Sequence, residues 1–103
     1  MKPAVTLEQA KSIVDTKTAP RVTEEHIDSL IEDVDYLYSG TTTVCLITVR
    51  NGFRFIGTST PADPSNYDKQ VGERYAYENA FKQIWTHEGY LLREILFQAE
   101  QNS

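Results

Sequence analysis

The chain has 103 residues, with 15 acidic against 10 basic side chains and a net charge of −5 at pH 7. Binding to long DNA or RNA draws most of its affinity from counterions released at a basic face, so this balance excludes a general nucleic-acid binder. It leaves room for a small anion held by two or three arginines. Hydrophobic residues at 40% and aromatics at 11% supply one modest core, and the expectation is a single domain over residues 1–103. One cysteine, Cys45, rules out an internal disulfide framework. No segment approaches the ~20 apolar residues of a membrane span, and Met1 to Ser12 holds no apolar stretch of signal-peptide length, so the expected compartment is the cytoplasm.

In chain order, Thr6-Leu7-Glu8-Gln9 fits a capping box opening a first helix with Leu7, Ala10, Ile13 and Val14 on one face. The turn Thr18-Ala19-Pro20-Arg21 ends it. A second helix is predicted after Thr23, with Ile27, Leu30, Ile31 and Val34 at helical spacing and Glu24 and Glu25 in the dipole-favoured first turn. Thr42 to Arg50 is rich in β-branched residues, Asn51-Gly52 is a type I′ turn signature, and Phe53 to Thr58 resumes a strand pattern. Beyond the loop Ser59 to Ser65, a helix capped by Asp63-Pro64 or Asp68 runs through Ala76, Ala80 and Ile84 to Trp85. Gly89 marks an interruption, and Tyr90 to Gln98 reads as a closing helix. The expected class is α+β: two N-terminal helices, a central antiparallel β-hairpin and two C-terminal helices.

A two-residue turn would set Arg50 opposite Phe53, Val49 opposite Arg54, Thr48 opposite Phe55 and Ile47 opposite Ile56. One face then carries Cys45, Ile47, Val49, Arg54 and Ile56. The other carries Val44, Leu46, Thr48, Arg50, Phe53 and Phe55. A sheet with one solvated face should alternate apolar and polar, and this one does not. One face is expected to pack on the chain's own helices and the other to meet a second copy or a ligand, so a homo-oligomer, a dimer or larger, is expected.

No Gly-rich phosphate loop, metal-ligand spacing or nucleophile elbow is present, and an enzyme is not expected. His26, His87 and Cys45 lie far apart, so neither a metal nor another cofactor is implied, and Cys45 reads as a buried small hydrophobe. Between Arg21 and Arg50 there is no lysine or arginine, while Glu24, Glu25, Asp28, Glu32, Asp33 and Asp35 fall there. The plain reading is a solvated helix face. The alternative is an acidic surface inhibiting a host defence nuclease, as anti-restriction or anti-CRISPR factors do. A second constellation is basic and aromatic: Arg50, Phe53, Arg54, Phe55, Asn66, Tyr67, Arg74 and Tyr75. Arginine grips phosphate with a bidentate fork and aromatic rings stack bases.

The stretches Arg50-Asn51-Gly52-Phe53, Gly57-Thr58-Ser59, Pro64-x-Asn66-Tyr67-Asp68, Gly72, Glu78-Asn79-Ala80 and Ile84-Trp85-x-x-Glu88-Gly89-Tyr90-Leu91-Leu92-Arg93 carry a family likeness over roughly residues 21 to 97. They resemble the small phage and prophage proteins of the gene-product-49/66 family. That resemblance implies an overlap with the first family of Thoeris anti-defence proteins, oligomeric sponges that sequester cyclic ADP-ribose isomers and, in some cases, cyclic oligonucleotides. The implied function is non-catalytic sequestration of a small anionic cyclic nucleotide in the host bacterial cytoplasm. The expected contacts are Arg50, Arg54 and Arg74 for phosphates, Phe53, Phe55 and Tyr75 for stacking, and Asn66 for a base or ribose edge.

Overall fold

The computed structural model describes residues 1–102. The elements follow as α1 (Leu7–Asp15), α2 (Glu24–Leu30), β1 (Ile31–Ser39), β2 (Thr42–Val49), β3 (Arg54–Ser59) and α3 (Lys69–Gln101), with a short 3₁₀ turn at Pro64–Asn66. The strands form an antiparallel sheet in the order β1-β2-β3. The α+β class holds, but with three α-helices among the described residues instead of four and three strands instead of a lone hairpin.

The core lies between α3 and one sheet face. Gly72, Ala76 and Ala80 recur every four residues and are all buried, so they form one strip along the helix. The helix descends onto β3 until a Cβ on Gly57 would sit 2.2 Å from the Ala76 carbonyl oxygen and 2.4 Å from the Ala80 nitrogen. A Cβ on Gly72 would meet Thr43 Oγ1 at 2.7 Å. Around this contact Ile27, Cys45, Ile47, Val49, Phe55, Phe81 and Ile84 fill the remaining space. The same approach satisfies the backbone of β3: Asn79 Oδ1 accepts the Thr58 N–H at 3.0 Å, and Gln83 Nε2 donates to the Ile56 carbonyl at 2.7 Å. These groups would otherwise be an open sheet edge. At the start of α3 the Tyr38 hydroxyl donates to Glu73, and the Lys69 ammonium lies 5.0 Å from the centre of the Tyr38 ring.

Several local expectations are met. Thr6 and Gln9 form the reciprocal capping box, at 3.1 and 2.8 Å. Both predicted aspartate caps are used, Asp63 on the 3₁₀ turn and Asp68 on α3. Cys45 is fully buried, and burial pushes its thiol pKa up.

Three expectations are corrected. The second helix stops at Leu30, and Ile31–Ser39 is a strand. Ile27, Leu30, Ile31 and Val34 fit a helix, but Val34, Tyr36 and Tyr38 alternate towards α3 while Asp33, Asp35 and Leu37 point away. Pairing with β2 satisfies the strand backbone and decides between the two periods. Second, Val49 is bonded to Phe53 across a three-residue loop, Arg50 to Gly52. Val49 N–H donates to the Phe53 carbonyl at 3.0 Å, Gly52 N–H to the Val49 carbonyl at 2.8 Å, and Gly52 takes φ +90°. A left-handed glycine closing a three-residue loop is a standard hairpin alternative to the two-residue turn. The register therefore slips by one, pairing Ile47 with Phe55 and Thr48 with Arg54. Phe53 and Phe55 move to the helix side, and Arg54 and Ile56 leave it. Third, Gly89 does not interrupt α3, which runs unbroken for 33 residues. One mid-helix glycine costs only about 1 kcal/mol, too little to break a helix of good formers.

The 33-residue α3 makes the molecule elongated. The molecule measures 57 × 38 × 22 Å with a radius of gyration of 17.1 Å, against about 13 Å for a compact chain of this length.

Gly57→Ala should lower unfolding free energy in urea by about 2–4 kcal/mol, since the new methyl meets helix backbone that cannot turn aside. Thr43 Oγ1 is buried with no hydrogen-bond partner among the described residues, so Thr43→Val should raise stability by about 1 kcal/mol in the same assay. The hydrogen bond to Glu73 lifts the Tyr38 pKa to about 12. The folded value lies above the ordinary 10.0, so this contribution is complete below pH 10 and disappears as pH rises through 12. Ultraviolet titration of Glu73→Gln should show one tyrosine returning towards 10.

Candidate ligand site

Where α3 passes the sheet it crosses α2 and the β2–β3 loop, and a cleft of about 450 Å³ opens between them. Its apolar wall comes from Val22, Leu30, Val49, Leu91, Leu92 and Ile95. Its polar lining is Arg21, His26, Arg50, Asn51 and Glu88. The three-residue loop places Arg50 here, and the Arg50 N–H donates to the Leu30 carbonyl at 2.9 Å, tying the loop to the end of α2. Asn51 Oδ1 accepts the Phe53 N–H at 3.0 Å and fixes the loop from within.

The charges are unevenly engaged. His26 Nε2 lies 2.9 Å from Glu88 Oε1, and the Glu88 side chain is only 19% exposed. Arg21 pairs with Asp15 at 3.3 Å, both side chains open to solvent, an arrangement worth little. Arg50 has no ion-pair partner among the described residues. Two arginines thus stand over an apolar wall whose one carboxylate is occupied by a histidine. That geometry suits a ligand with an anionic group at the rim and a flat or apolar body below.

The sequence-predicted constellation is divided. Arg50 lines the cleft. Phe55 is a core residue, 7% exposed, packed edge-on between Phe53 and His87 with ring centres 5.1 Å apart on each side. Phe53 is 58% exposed on the same sheet face, outside the cleft lining. Arg54 stands on the opposite sheet face. Asn66 is in the 3₁₀ turn, and Arg74 and Tyr75 lie near the start of α3. Arg74 pairs with Glu78 at 2.8 Å, its guanidinium 5.5 Å from the Tyr77 ring centre. With Tyr36, Gln70, Glu73 and Tyr77 it borders a separate depression. Arg74 and Glu88 are 14 positions apart on one helix, which is about 21 Å, so one small ligand cannot touch both ends. The acidic run is divided too: Glu24, Glu25 and Asp28 lie on α2, and Glu32, Asp33 and Asp35 on β1. They share no helix face.

Sequence reasoning missed Arg21, His26, Asn51, Glu88 and the three aliphatic residues of late α3. A signal existed. Arg50-Asn51 and Glu88-Gly89-Tyr90-Leu91-Leu92 were among the stretches carrying the family likeness, Arg21 and Val22 fall at the start of its span, and each contributes side chains to this cleft.

Among the described residues no three His, Cys, Asp or Glu side chains converge to hold a metal ion, and no helix is long and apolar enough to cross a membrane. No curated protein and no solved structure matches the chain significantly. A sequence model of the phage protein (N4 Gp49/phage Sf6 gene 66) family does match, over residues 22–96, a span containing every cleft residue except Arg21. The chain belongs to the N4 Gp49/phage Sf6 gene 66 family of phage proteins.

Proposed function

We propose that this chain is a phage counter-defence protein that binds a small anionic nucleotide signal, a cyclic ADP-ribose isomer or a cyclic oligonucleotide, and sequesters it without degrading it. The supporting observation is the cleft at the hairpin loop, where Arg21 and Arg50 stand over the wall formed by Leu30, Val49, Leu91, Leu92 and Ile95. Arg50 and Arg21 would grip phosphate oxygens, the aliphatic wall would take the base, and Asn51 and His26 would meet ribose or base edges. Among the described residues no serine, threonine, cysteine or lysine lines the cleft. Phe53, Arg54, Phe55, Asn66, Arg74 and Tyr75 lie outside the lining of this cleft and are not among the contacts proposed here.

Titration calorimetry against a panel of cyclic ADP-ribose isomers and cyclic di- and trinucleotides tests this reading, with the recovered ligand checked for chemical change. Intact recovered ligand is expected. Arg50→Ala should weaken binding by about 1.5–3 kcal/mol, a tenfold to hundredfold loss, while Arg74→Ala should leave it unchanged. Absence of heat across the panel, or equal losses in both variants, would count against the cleft as the binding site.

A further inference from the structure

The sheet face turned away from α3 has no element of the described residues over it. Its side chains stand in rows across the strands: Asp33, Thr48 and Arg54 in one, then Asp35, Leu46 and Ile56, then Leu37 and Val44. Leu37 is 52% and Ile56 55% exposed, one on each outer strand, with Val44 and Leu46 of β2 between them, so the apolar side chains form one patch. The charges of this face lie on opposite edges. Asp33 and Arg54 share a row with β2 between them, two strand spacings or roughly 10 Å apart. Neither has an ion-pair partner among the described residues.

This pattern is complementary to itself under one symmetry operation. A two-fold axis running along β2, midway between two facing sheets, lays β1 of one copy over β3 of the other and keeps every row at its own level. Asp33 then faces the second copy's Arg54, and Arg54 its Asp33, with Asp35 one row further within reach of the same guanidinium. Leu46 and Val44, nearest the axis, meet their own counterparts. Facing sheets pack about 10 Å apart, a gap that an extended arginine and an aspartate span together. The other in-plane axis, across the strands, lays β1 over β1 and sets aspartates against aspartates.

We propose that two copies of this chain dimerise through the open face of the sheet, about a two-fold axis along β2, with reciprocal Asp33–Arg54 ion pairs flanking the Val44 and Leu46 seam. This surface lies on the opposite side of the sheet from α3, so the dimer stands or falls separately from the ligand reading.

Sedimentation velocity on the full chain over a concentration series tests it, with circular dichroism to verify the fold. The unaltered chain should shift to dimer as concentration rises. Arg54→Asp should sediment as monomer, because two aspartates of one copy then face a third carboxylate. The exchanged pair, Asp33→Arg with Arg54→Asp, should restore the dimer. A monomer at every concentration overturns the proposal. So does a dimer that persists in Arg54→Asp, which would place assembly on another surface such as the exposed late turns of α3. Failure of the natively folded exchanged pair to dimerise also overturns it.

Discussion

The contact between the Gly72, Ala76, Ala80 strip of α3 and the glycine of β3 governs the arrangement of this molecule. Where Gly57 meets the Ala76 carbonyl and the Ala80 nitrogen, helix and strand backbones touch with no side chain between them. Such an approach gives up the area that larger side chains would bury, and gains dense packing plus side-chain ties from Asn79 and Gln83 to the strand backbone. It also fixes the helix lengthwise. Thr43 nests at Gly72 and Gly57 at Ala76 and Ala80, so the turns after Ile84 reach the hairpin end of the sheet, where His87 packs on Phe55.

The cleft follows from that fixed position. Late α3 meets α2, the end of β2 at Val49 and the β2–β3 loop, and these meet imperfectly. The loop's third residue matters here. A two-residue turn would have left Arg50 within the ladder opposite Phe53. The observed loop frees it at the cleft rim, with its backbone tied to Leu30. At the opposite end of α3 the chemistry differs in kind. There Tyr38 is the shared partner, its hydroxyl donating to Glu73 and its ring facing the Lys69 ammonium.

Net charge gives little guide to this distribution. A chain of charge −5 carries two arginines over one cleft, because among the described residues Glu88 is the one carboxylate in its lining and His26 engages it. A small ligand responds to the potential within a cleft, which local charge and low-dielectric walls set. A long polyanion meets the summed charge.

Local chemistry in the sequence settled the features that depend on a few neighbouring residues. The capping box at Thr6, the aspartate caps at Asp63 and Asp68, the β-branched run of β2, the buried Cys45 and the α+β class all follow from such neighbours, and the family likeness is carried by short stretches. Competition between distant segments decided the rest. Ile31–Ser39 carries patterns that suit helix and strand alike until β2 offers its hydrogen bonds. Asn51-Gly52 suits two loop lengths, and the slip that sends Phe55 into the core and Arg54 out of it is settled by what α3 can pack against. Arg50 and Arg74 look equally suited to a phosphate in the sequence. Only a helix of fixed rise per residue, seated at one place on a sheet, sets them at opposite ends of the molecule.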